Sequence, residues 1–183
     1  AKNLQQSKKA LQSIPNIKFI LGKAERLPFK GLAFDGAMMV RVFHHLPHPQ
    51  SAIAEISRVL KPGGFFILEF ANKLHIKNLL QAVLELNFGS ILTLKPKEHR
   101  SAQNIKRGAI PFVNHHPRQI AKTLAQNGFK ILATRSVSNF RHSLFKSFIP
   151  LPLLLFLESI FKLLTSLFRI QLGPSIVLLA RKT

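Results

Sequence analysis

Residues 37 to 70 constrain the fold more than any other stretch of this chain. Ala37-Met38-Met39-Val40, with Val42, is an apolar run long enough for a buried strand and too short for a helix. Pro47 and Pro49 close it. From Gln50 the apolar residues Ile53, Ile56, Val59 and Leu60 recur at helical spacing for about three turns. Lys61-Pro62-Gly63-Gly64 then offers a cation, a breaker and a left-handed cap, and Phe65 to Phe70 is a continuous apolar run interrupted by Glu69 alone. Strands that are apolar throughout are buried on both faces, the situation of neighbours in a parallel sheet. The helix between them makes the connection a right-handed crossover. The expected fold class is α/β.

The flanks extend this unit. Residues 1 to 13 read as a short helix stopped before Pro15, and Ile17, Phe19 and Leu21, alternating with Lys18 and Ile20, predict a short strand ending at Gly22. Leu79, Leu80, Val83, Leu84 and Leu86 predict a helix within residues 75 to 93, and the polar, basic stretch Lys95 to Ile110 reads as a loop over the active face. Pro117 starts a helix that Asn127-Gly128 stops, Phe129 to Val137 alternates as a strand, and Ser175 to Arg181 is the last strand.

Between those last strands lies an apolar insertion, residues 139 to 174. Its Glu158, Ser159, Lys162, Thr165, Ser166 and Arg169 fall at offsets that set every polar group on one stripe of a helix starting near Pro152. Three charges at helical spacing argue against a membrane span, which needs roughly 20 apolar residues. Two readings remain, a helix packed on the sheet or a neighbour, and an interfacial helix whose Leu154, Phe161 and Leu164 meet an anionic membrane surface or a hydrophobic acceptor.

Composition narrows the function classes. A chain of 183 residues, 46% hydrophobic, can bury one substantial core and is read as a single domain. The absence of cysteine removes disulfides, thiolate nucleophiles and sulfur-ligated zinc. The first residues carry no apolar export signal, so a cytoplasmic location is expected, with the insertion offering membrane association. Lys and Arg number 27 against seven acids, a balance that attracts polyanions or anionic lipid. These bases are scattered from Lys2 to Lys182 in runs no longer than two, which weighs against specific nucleic-acid recognition.

In an open parallel sheet, ligands lie beyond the carboxyl ends of the strands. That rule gathers Lys23-Ala24-Glu25, Arg41 to His45, Glu69 and Asn72-Lys73 on one face. His44 and His45 either cap a strand end or face a substrate. A metal pair with His48, or with His115 and His116, is disfavoured because adjacent histidines on a strand diverge and no acid is spaced with them, so no metal is expected. Glu69 is either a satisfied core carboxylate or a general base, and His115-His116-Pro117 is either a helix start or part of a site.

"GKAERLPF", then "FDGAMMVRVFHHLPHPQSAIAEISRVLKPGGFFILEF", then the terminal strand pair, resemble a class I S-adenosylmethionine-dependent methyltransferase acting on small molecules, quinones or lipids. The resemblance runs from about residue 16 to 137, plus the last strand. It implies a Rossmann-like methyltransferase sheet of order 3-2-1-4-5-7-6, with S-adenosylmethionine as cofactor and a small-molecule or lipid-like acceptor. It further implies that Lys23, Ala24 and Glu25 border the adenine, Lys23 standing where the family has an aspartate. Met39, Val40 and Arg41 border the methyl-bearing sulfur, and His44 and His45 face the acceptor, with Glu69, Asn72, His115 and His116 as further acceptor-side candidates. His45 is the first choice for a general base and His44 the second, imidazole being the side chain that titrates near neutral pH.

The chain departs from the family in having no Gly-X-Gly turn and no room for two strands before residue 16. It is therefore expected to be a partial domain whose sheet lacks its first two strands and whose activity needs the missing part. The rival expectations are a non-catalytic remnant that binds a membrane or partner, and an RNA-modifying enzyme. Against the latter, no Asn-Pro-Pro-aromatic run follows the fourth strand.

Overall fold

The computed structural model describes residues 2–11, 13–137, 150–153, 155–156, 159–160 and 171–183. The parallel pair and its crossover are present as expected: β1 (Phe34–Met39) lies beside β2 (Leu60–Ala71), with helix α2 (Pro49–Val59) crossing between them. The expected burial of β1 is corrected, because it stands at the edge of the described sheet with Met39 buried but Met38 71% exposed, and Val40 and Val42 lie beyond its end. Ile53, Ile56 and Val59 of α2 are buried, as their spacing requires, and Ile53 and Ile56 belong to the core cluster that also contains Phe66 and Leu68 of β2. The sheet continues antiparallel through β6 (Ser175–Lys182) to β5 (Phe129–Val137), in the order β1-β2-β6-β5. That matches the 4-5-7-6 half of the order which the resemblance implies. Helices α1 (Lys2–Ala10) and α6 (Pro117–Gln126) also form where the sequence places them.

Three further expectations are corrected. Residues 17 to 22 form no strand: among the described residues no neighbour offers them a ladder, and Ile20 and Leu21 stand 53% and 71% exposed. Period-2 patterning makes a strand possible, but only pairing makes it one. Lys61-Pro62-Gly63-Gly64 caps no helix; α2 ends in extended backbone at Leu60, and the four residues form a bulge inside β2. Phe34 pairs with Leu60 and Gly36 with Phe65, so the bulge absorbs the extra residues, with Gly63 at φ +80°. A Cβ on Gly64 would come within 2.9 Å of the Lys61 carbonyl oxygen and 3.0 Å of that of Asp35. Finally, the helix expected within residues 75 to 93 is two, α3 (Ile76–Leu84) and α4 (Gly89–Leu92), broken where Leu86 takes φ +50°.

The basic stretch after α4 folds into a small hairpin. Strand β3 (Lys97–Glu98) pairs with β4 (Val113–Asn114), and α5 (Ala102–Lys106) forms its tip. Lys73 fastens this region from below, donating from Nζ to the carbonyls of Thr93 and Lys95 at 2.7 Å each. Of the polar stripe expected on the insertion, Glu158, Lys162, Thr165, Ser166 and Arg169 lie outside the described residues, as do Leu154, Phe161 and Leu164. Among the described residues, no helix is long and apolar enough to cross a membrane.

Candidate active site

At the end of β1 the chain must leave the sheet sharply. Arg41 does this with φ +59°, a left-handed conformation that costs a non-glycine residue of order 1 kcal/mol, and Phe43–His45 then wind into one 3₁₀ turn. Phe43 anchors the turn in the core, 1% exposed. Adjacent side chains on such a turn do not oppose each other as they do on a strand. The rings of His44 and His45 are 4.1 Å apart by centroid, and both touch Phe112, at 5.1 and 5.7 Å. The expected divergence of the two imidazoles is thus replaced by convergence, because they sit on a turn.

They open onto a cavity of about 720 Å³. Its walls are Arg41, His44 and His45 beyond β1, Glu69 near the end of β2, His75 and Gln81 of the α3 region, and His99 and Phe112 of the hairpin. The cavity lies beyond the carboxyl ends of the parallel pair, as in other open α/β sheets.

One hydrogen bond defines the chemistry of His45. Its Nδ1 is 2.7 Å from the Pro111 carbonyl oxygen. A carbonyl only accepts, so Nδ1 carries the hydrogen and the neutral ring has its lone pair on Nε2. The carbonyl is held in place by the hairpin, and the hairpin by Glu98. That carboxylate receives the N–H groups of His99 (3.0 Å), Arg100 (3.1 Å) and Phe112 (3.4 Å), and pairs with the Arg100 guanidinium at 2.7 Å. The Arg100 contact holds Glu98 down at about 2, so it stays ionised.

His75 and His99 are held below the ordinary imidazole range, first by burial and then by neighbouring positive charge, Lys97 among it for both. Glu69, 9% exposed, pairs through its backbone with Val177 of β6, while its side chain makes no hydrogen bond or ion pair among the described residues and is the acid in the wall. A near-buried carboxylate of this kind gains most from a donor that enters the cavity.

The other candidates stand elsewhere. Asn72 is fully buried and its amide is committed: Nδ2 donates to the Gln171 and Gly173 carbonyls at 2.8 and 2.9 Å, and Oδ1 accepts the Leu74 N–H at 2.9 Å. His116 caps α6, its Nδ1 accepting the Arg118 N–H at 3.1 Å. His115, pushed down to about 4 by burial and then by His44, packs on Phe43 at 4.9 Å. These two histidines line a separate cavity of about 270 Å³ behind Phe43.

Lys23 and Arg26 close a tight turn with Ala24 half-buried against the core, and neither the Ala24 nor the Glu25 N–H has a partner among the described residues. Helix α2 positions this turn: Glu55 accepts the Leu27 N–H at 2.8 Å, and Arg58 donates to the carbonyls of Leu27 and Phe29. Met39 is buried in the core, while Val40 is 41% exposed beyond it. His75, His99, Phe112 and Glu98 were not among the sequence candidates. Only the position of the basic stretch, over the strand ends, pointed to them.

Comparison with known proteins bears on the fold. Residues 1–68 match the family model for the methyltransferase domain. Phthiotriol/phenolphthiotriol dimycocerosates methyltransferase of Mycobacterium tuberculosis is 43% identical over 53 residues, 29% of this chain and 20% of that protein. Ubiquinone/menaquinone biosynthesis C-methyltransferase of Bartonella bacilliformis is 44% identical over 59 residues, 32% of this chain and 23% of that protein. The chain matches only about a fifth of the length of these curated relatives. Among solved structures, an S-adenosylmethionine-dependent methyltransferase from Methanosarcina mazei superposes with a TM-score of 0.59 at 20% identity, covering 100% of this chain and 78% of that one. That likeness is one of fold.

Proposed function

We propose that this chain, which carries the fold of the class I S-adenosylmethionine-dependent methyltransferases and matches a methyltransferase domain over residues 1–68, serves methyl transfer to a small lipid-like or quinone-like acceptor. The observation that carries the reading is His45, fixed by Pro111 with its lone pair on Nε2 in the wall of a cavity beyond the parallel strands. S-adenosylmethionine supplies a methyl group already activated on sulfur, so the protein's work is orientation and exclusion of water. His45 Nε2 takes the proton of an acceptor hydroxyl or acidic carbon, and Phe112 with His44 offers that acceptor an apolar and aromatic surface. The two curated relatives, named for lipid and quinone substrates, support the acceptor class.

The residues present fit one wall of a cofactor site. The open N–H groups of Ala24 and Glu25 suit the acceptor nitrogens of an adenine, and the backbone from Val40 to Arg41 would hold the sulfur end. The ribose acid and the glycine-rich turn have no counterpart in this sequence, so the assignment is confined to that wall. Titration of the isotope-labelled chain with S-adenosylhomocysteine, followed by amide chemical shifts, tests it. Shifts are expected at Ala24, Glu25, Val40 and Arg41. No shifts at about 1 mM ligand, the weak end of ordinary substrate affinity, or shifts confined to other residues, would overturn the assignment.

A further inference from the structure

Helix α3 is amphipathic the wrong way round for a helix that packs on a core. Ile76, Leu80, Val83 and Leu84 share one arc of it and are 51%, 58%, 52% and 84% exposed, whereas Ala82 is its one buried residue. The ridge continues past the break, with Leu86 79% and Leu92 of α4 78% exposed. Beside it lies a cleft of about 420 Å³ between α3, α4 and β3, whose wall contains Lys73, Lys95 and Lys97 against a single acid, Glu85. An apolar ridge flanked by lysines, on a chain of formal net charge +20, complements a surface that is apolar inside and anionic outside. A second copy of the chain fits poorly, since it would bring the same positive charge against this one. The position also makes sense of access. From Lys77, next to Leu84, round to Gln81 and Asn78, the adjoining flank of α3 lines the cavity onto which His44 and His45 open.

We propose that the α3–α4 segment is an interfacial anchor, sinking Leu80, Val83, Leu84 and Leu92 into an anionic lipid surface with Lys77 and Lys95 against the headgroups. The helix then lies in the surface plane, and an acceptor dissolved in the lipid reaches the cavity along α3 without crossing water. The anchor itself goes beyond the methyl-transfer reading and stands without it; the access route for an acceptor rests on that reading.

Flotation of the full chain with phosphatidylcholine vesicles, with and without about 30% phosphatidylglycerol, tests the proposal. Binding is expected to the anionic vesicles only and to weaken with salt. The double variant Leu84→Ser with Leu92→Ser, at sites too exposed to disturb folding, is expected to weaken it by about tenfold or more, and Lys77→Gln with Lys95→Gln to reduce its salt dependence. Amide exchange of α3 and α4 should slow further when anionic vesicles are present and be unchanged by neutral ones. Equal binding to neutral vesicles, unchanged binding by the Leu84/Leu92 variant, or exchange of α3 that anionic vesicles leave unaltered would each overturn the proposal.

Discussion

Asn72→Ala should be among the most damaging single substitutions in this chain. The side chain is fully buried and spends both ends of its amide: two donations to the carbonyls of Gln171 and Gly173, and one acceptance from the Leu74 N–H. Its own N–H goes to the Pro174 carbonyl at 2.9 Å. Asn72 therefore ties the exit of β2 to the turn that enters β6, where Gly173 N–H is in turn held by Ser136 Oγ at 2.7 Å. Alanine leaves three backbone groups without partners. Each buried unsatisfied group costs about 1–3 kcal/mol, and the partly exposed Gln171 carbonyl can recover water, so the net loss is about 3–4 kcal/mol. For a domain stable by about 5–15 kcal/mol this is a large share. Asn72→Asp keeps the acceptor for Leu74 but turns an anion toward two carbonyls. It should lose at least as much near neutral pH and regain part as pH falls toward about 4, because burial and the two carbonyls raise the folded value of the carboxyl above its unfolded one. Urea denaturation followed by circular dichroism measures both. A loss below about 1 kcal/mol for Asn72→Ala, or an Asn72→Asp variant as stable as the parent at pH 7, would refute the reasoning.

With the rest of the methyltransferase domain supplied, His45→Ala should lower transfer of labelled methyl from S-adenosylmethionine to a quinone-type acceptor by about 10²-fold, the scale of a lost general base, and unchanged turnover would leave His45 as a capping residue. Acid stability should fall in two windows. His115 has a folded value of about 4 against 6.5 unfolded, so the unfolded chain takes its proton first, and this contribution is full above pH 6.5 and lost as pH falls toward 4. Glu55 and Glu98, folded at about 2 against 4.5, contribute above pH 4.5 and lose that contribution as pH falls toward 2. In stability curves against pH, His115→Leu should flatten the upper window and leave the lower one; an unchanged upper slope would show that burial of this imidazole is not what the chain loses there.

The half of the fold built on local pattern was legible in the sequence. The parallel β1–β2 pair, the crossover helix, α6 and the antiparallel β5–β6 pair follow from periodicity and from Pro and Gly punctuation. Misreadings arose where one residue pattern serves two structures. Glycine at positive φ suits a helix cap and a strand bulge alike, and at Gly63 only the register against β1 decides for the bulge. Alternation at Ile17–Leu21 could not reveal that nothing pairs with it. The candidate site was legible only as far as the strand ends reach. His44, His45, Arg41 and Glu69 are there by topology, whereas His99 and Phe112 arrive because the β3–β4 hairpin folds back over the turn. That convergence is tertiary, and no spacing in the chain encodes it.

The place of β6 in the sheet has a consequence for how the molecule comes into being. It lies between β2 and β5, although it is made after both, so β5 has no ladder in the main sheet until β6 arrives. During vectorial synthesis Phe66 and Leu68 of β2 wait beside an open edge for Ile176, Leu178 and Ala180 to complete the core around them. The nascent chain is thus sticky until its last strand emerges. Any shortened product that stops before Ser175 loses the seam between two halves of a sheet rather than a tail.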